Sequence, residues 1–93
     1  MPGEGPEESR LAQLAQSGLD WLAGDVEELS RFMTECGYSP DGLRAAIGTR
    51  ALSVAIVEYF ARNEPQLLAM AANTGIRTED LMRLYWRLNP GGG

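Results

Sequence analysis

From Ala51 to Ala61 the chain reads Ala-Leu-Ser-Val-Ala-Ile-Val-Glu-Tyr-Phe-Ala, interrupted only by Ser53 and Glu58. Wound as a helix, this run has almost no polar side, and a helix without a polar side has to be enclosed by other elements. It falls far short of the ~20 apolar residues that span a bilayer. The remaining residues of the 93-residue chain must therefore supply a jacket around it. A chain of this length forms one domain with one core.

The flanking sequence reads as that jacket. A first helix is predicted to open near Pro6 or Glu7 and to bury Leu11, Leu14, Ala15, Gly18 and Leu22 before Gly24 stops it. Asp25 is expected to cap a second helix in capping-box fashion with Glu28. The apolar face of that helix is Leu29, Phe32, Met33 and Cys36, and it ends at Gly37. Ser39-Pro40-Asp41 starts a third, with Leu43, Ala46 and Ile47 turned inward and Gly48 as its stop. The fourth, from about Thr49 or Arg50 to Arg62, is the central apolar helix. Asn63 is predicted to cap a fifth, in which Leu67, Leu68, Met70 and Ala71 pack before Gly75. Thr78 is predicted to cap a sixth, buried along Leu81, Leu84, Tyr85 and Leu88.

Two of these segments resemble each other at a spacing of 38 residues, pairing Leu29 with Leu67, Phe32 with Met70, Gly37 with Gly75, Tyr38 with Ile76 and Leu43 with Leu81. Each reads as helix, glycine stop, apolar residue, hydroxyl cap, second helix. The expected fold is all-α, a compact orthogonal bundle of five to six short helices with two similar αα-hairpins around a central apolar helix. Residues 7–89 form the bundle, residues 1–6 a flexible arm and residues 90–93 a flexible glycine-rich tail.

Composition narrows the chemistry. There is no histidine, and the eight basic residues are all arginine, so the commonest general base, the commonest metal ligand, a Schiff-base lysine and a P-loop lysine are all missing. The single cysteine, Cys36, cannot form an internal disulfide and sits at the negative end of its helix dipole, which disfavours a thiolate. No catalytic residue, cofactor site or metal site is expected, and the chain is read as a non-enzyme. The N-terminus has neither the basic nor the apolar region of a signal peptide, so a cytoplasmic location is expected. The net charge of −5 is unevenly spread. Residues 1–48 hold nine acids and three arginines, residues 49–93 four acids and five arginines. An acidic chain is a poor match for phosphate backbones and anionic lipid, so neither nucleic acid nor membrane is the expected partner.

Several patterns could carry function. Ala71 to Arg83 resembles a helix-turn-helix, but Glu79 and Asp80 stand at the start of the helix that would enter a groove. Cys36-Gly37-Tyr38, with Leu43 to Ala46 and Ala55 to Phe60, looks like a ubiquitin-associated domain. That likeness covers only residues 29–62, and apolar helices on both sides would cover the binding patch. Glu58 lies in the most apolar helix and is expected to emerge at its edge or pair with Arg62 four residues on. The Gly91-Gly92-Gly93 end is read as flexible. Met82 and Trp86, at i and i+4, stand off the buried stripe of helix six, as Trp21 does on helix one. Half-buried aromatics and methionines are common interface anchors. The reading is a protein–protein interaction or self-association module, a homodimer included. Its surface comprises Trp86, Met82 and Trp21 with Arg83 and Arg87; helix-turn-helix and ubiquitin-associated-like binding are the alternatives.

A family resemblance joins these positions. Leu22-Ala23-Gly24, Arg31-Phe32-Met33, Gly37, Leu43-Arg44-Ala45-Ala46, Val54 to Val57, Asn63-Glu64, Leu67 to Ala71, Thr74-Gly75-Ile76 and Leu88 to Gly91 resemble a small bacterial all-helical family, domain of unknown function 3572. The likeness spans about residues 12–92. It implies the helical fold and carries no activity or site residues.

Overall fold

The central helix meets five neighbours. In the computed structural model, which describes residues 6–90, the elements are α1 (Pro6–Ala23), α2 (Val26–Cys36), α3 (Pro40–Ala46), α4 (Arg50–Arg62), α5 (Glu64–Thr74) and α6 (Thr78–Leu88). No strand occurs among the described residues. The fold is the expected all-α bundle, with α4 packed against every other helix. Leu52, Ile56, Val57, Tyr59 and Phe60 of α4 are buried, and Phe32, Leu22, Met70 and Leu81 close over them from four other helices.

The main partner of α4 is α1, and a glycine makes that contact possible. Gly18 lies mid-helix, where glycine costs about 1 kcal/mol against alanine. A Cβ there would lie 2.9 Å from Phe60 Cε2 and 3.0 Å from Ile56 Cγ2. The missing side chain lets the ring of Phe60 rest on the α1 backbone. On either side of it, Leu11, Leu14, Ala15 and Leu22 are buried as the spacing predicts.

The two predicted hairpins are present, and their turns match. Gly37 and Gly75 adopt left-handed backbone at φ 80 and 81, which glycine occupies without steric cost. After the first, Tyr38 N–H donates to Met33 O at 2.8 Å and the Tyr38 ring stacks on Phe32. After the second, Ile76 packs on the core. Gly24, by contrast, has no positive φ; α1 ends there with Gly24 N–H donating to Asp20 O and Trp21 O.

Several local expectations are corrected. Asp25 Oδ1 accepts from Glu27 and Glu28 N–H, but Glu28 returns no bond, because Asp25 N–H already donates to Leu22 O. Ser39 and Thr49 cap α3 and α4 through their hydroxyls, whereas Asn63 holds the cap position of α5 without a side-chain cap bond and Thr78 is not a cap. Asn63 Nδ2 turns back to Tyr59 O and across to Glu35 Oε2, tying the end of α4 to α2. Thr78 is the first residue inside α6, with Arg77 in the cap position. Ile47 and Leu68 are not core; each is 53% exposed. Ile47 has already left helical backbone, so it swings off the face that Leu43 and Ala46 share. Leu68 sits one residue, about 100°, round α5 from the buried Leu67. Pro6 belongs to α1 and not to an arm. The arm at residues 1–5 and the tail at residues 91–93 lie outside the described residues.

Candidate interaction surface

α6 is the most clearly two-sided helix. Leu81 and Leu84 are buried, and Tyr85, Met82 and Leu88 pack on the core margin. Successive residues turn by about 100°, which places Met82 and Trp86 together on one edge. The Trp86 indole is 51% exposed and lies edge-on against Tyr85, ring centroids 5.1 Å apart.

Asp80, Arg83 and Arg87 ride the opposite edge, beside the first turns of α1. There they line a groove of about 260 Å³ with Glu7, Arg10 and Leu84. Asp80 stands between two guanidiniums, with Arg83 Nη1 at 3.2 Å and Arg10 Nη1 at 3.8 Å, and Arg87 Nη1 is 3.4 Å from Glu7. Of these three contacts, Arg83–Asp80 is the one that is also a hydrogen bond. The α1–α4 pair Arg50–Glu8 is different: Nε and Nη2 reach both carboxylate oxygens at 3.0–3.3 Å, a closed fork.

The five side chains singled out in the sequence therefore divide. Met82 and Trp86 share one edge of α6, and Arg83 and Arg87 share the other. Trp21 is not brought to either. Arg87 reaches Glu7, and Trp21 is fourteen residues further along α1, about 21 Å at 1.5 Å per residue. It is half-buried, its ring edge-on to Phe60 at 5.9 Å, and it serves the α1–α4 contact. Sequence reading missed Glu7, Arg10 and Asp80. Their signal was the i, i+3 spacing of charge on each helix, which gains meaning only once α1 and α6 are adjacent.

A second apolar surface also escaped notice. Leu29, Met33, Pro40, Leu43, Arg44 and Ile47 line a shallow groove of about 190 Å³ between α2 and α3, and Val26, on the same face of α2, is 80% exposed. The ubiquitin-associated likeness fares differently, because the apolar run of α4 that would form its patch is buried.

Glu58 pairs with Arg62 at 4.0 Å, as its spacing predicts. Burial pushes the Cys36 thiol above its ordinary value, with Glu35 and Glu58 adding to the rise and Arg62 opposing it. Burial also raises the Tyr59 phenol, helped by Glu28. The Tyr59 hydroxyl and Glu28 Oε1 are buried without a hydrogen-bond partner among the described residues. Among those residues no three His, Cys, Asp or Glu side chains converge as metal ligands, and no helix is long and apolar enough to cross a membrane.

Fold and surface together define a small all-α domain. The chain belongs to the family described as Protein of unknown function (DUF3572), whose model matches residues 8–91. That span takes in all but the first two residues of α1 and every later helix. No curated protein and no solved structure matches the chain.

Proposed function

We propose that this protein is a non-catalytic protein-interaction module of the cytoplasm that docks through the outer edge of α6. The observation that carries this reading is the half-exposed Trp86 beside Met82 and Tyr85. A tryptophan held on a rigid helix offers a large contact area with little side-chain entropy to lose, which is why it anchors interfaces. The lone, half-buried Cys36 suits a reducing compartment.

The test is affinity capture from the native cell and light scattering of the purified protein, with wild type, Trp86→Ala and the remote surface variant Arg44→Gln in parallel. Docking through α6 predicts that Trp86→Ala alone loses the retained protein or, for self-association, shifts the mass to that of a monomer. The same retained proteins and the same mass for all three would overturn the reading.

A further inference from the structure

Three guanidiniums converge on the α1–α6 groove, and their donors are largely uncommitted. Arg10, Arg83 and Arg87 have side chains 59%, 65% and 60% exposed. Among the described residues, the hydrogen bond from Arg83 Nη1 to Asp80 Oδ1 is the one donated by these three groups. Arg10 and Arg87 stand at ion-pair separation, without hydrogen-bond geometry, from Asp80 and Glu7. A guanidinium presents a planar fork of N–H donors matched to a carboxylate, and Arg50 shows how this fold closes such a fork when the role is structural. The groove holds three arginines against two acids, a positive site on a chain of net charge −5. Glu79, four residues before Arg83, lies outside this lining and pairs with Arg77. Leu84 supplies an apolar floor, and Trp86, on the other edge of the same helix, is about 60° round the axis from Arg83.

Resting on the α6 docking reading, we propose that the partner is an acidic segment carrying apolar residues. Its aspartate or glutamate side chains would enter the α1–α6 groove and pair with Arg10, Arg83 and Arg87, while an apolar side chain packs on Trp86 and Met82. The carboxylates complete the open guanidinium forks, and Asp80 and Glu7 hold the arginines in place before binding.

The experiment is an NMR titration that follows arginine Nε–H and indole N–H signals. The probes are a short peptide alternating glutamate and leucine, its counterpart with glutamine in place of glutamate, and inorganic phosphate. The glutamate peptide should move the signals of Arg10, Arg83, Arg87 and Trp86 together, less at high salt. Arg83→Gln and Arg87→Gln should each weaken it by about tenfold, the worth of one charge-assisted hydrogen bond, with the helical circular dichroism spectrum unchanged. Equal binding of the glutamate and glutamine peptides would overturn the groove assignment and leave Trp86 docking standing. Phosphate saturating the arginine signals at lower concentration than the peptide would overturn the acidic-segment assignment in favour of a phosphate site. Silence from both peptides at the arginines and at Trp86 would overturn the docking reading as well.

Discussion

Gly18 and Phe60 touch so closely that no side chain fits between them: an added Cβ at Gly18 would sit 2.9 Å from the ring. Phe60 cannot retreat, because it is fully buried with Trp21 and Tyr59 set edge-on against it. Gly18→Ala therefore sets a helix-propensity gain of about 1 kcal/mol against overpacking of about 1–3 kcal/mol in a filled core. The expected net result is a loss of about 0–2 kcal/mol, a fall in Tm of roughly 4–8 °C per kcal/mol for a domain this size. A thermal melt checks it, and a rise in Tm would mean that the α1–α4 contact is looser than described.

The two tryptophans should separate cleanly in stability measurements. Trp86→Ala removes a half-exposed ring and is expected to change stability by no more than about 0.5 kcal/mol. Trp21→Ala strips the ring that covers Phe60 and should cost about 2–3 kcal/mol, below the usual range for a fully buried tryptophan. Urea denaturation of both variants measures the difference. Equal losses would show that Trp86 is part of the core and unavailable to a partner.

Glycine at the helix ends makes a second contrast. Gly37 has left-handed backbone and nothing within 4 Å of an added Cβ, so Gly37→Ala suffers backbone strain alone, about 1–2 kcal/mol. Gly37→Asn should recover part of that, since asparagine tolerates this conformation. Gly24 lacks a positive φ, and its added Cβ would meet only ordinary contacts. Gly24→Ala is expected to be neutral or to stabilise by up to about 1 kcal/mol through the unfolded chain. Chemical denaturation that ranks Gly24→Ala below Gly37→Ala would refute the assignment of turn conformations.

The buried phenol sets the alkaline limit. Tyr59 and Cys36 both titrate above their ordinary values of 10.0 and 9.0 in the folded protein. Between the unfolded and folded values the native state holds more protons, so stability falls as pH rises. The decline should begin near pH 9 with Cys36 and steepen above pH 10 with Tyr59. Tyr59→Phe removes a buried hydroxyl that lacks a partner, so at pH 7 it should stabilise, by up to about 1–3 kcal/mol, and it should flatten the upper part of the decline. Unfolding curves from pH 7 to 11 are the measurement; loss of stability at pH 7 in the phenylalanine variant would show that the hydroxyl is satisfied.

The helices were legible because their signals are local. Gly37, Gly75, Ser39 and Asp25 act within a turn of their own position, and the stripe Leu11, Leu14, Ala15, Gly18 and Leu22 is a property of one helix. The errors fall where a neighbour decides. Leu68 is as apolar as Leu67, and the placement of adjoining helices leaves it uncovered, while Ile47 is turned out by the non-helical backbone that ends α3. Asn63 reads as a cap by residue type and holds the cap position, yet its Nδ2 donates to Tyr59 O and to Glu35 of a neighbouring helix, and its Oδ1 accepts nothing from α5.

By itself, the sequence determined that this chain forms helices, where they stop, and that one of them lies inside, since periodicity and left-handed glycines need no tertiary partner. Only the tertiary structure decided that α1 is the helix pressed on α4 and that Glu7 and Arg10 face Asp80, Arg83 and Arg87. Those residues are some seventy positions apart in the chain. What joins them is the direction in which each buried stripe obliges its helix to lie, and no local pattern records that.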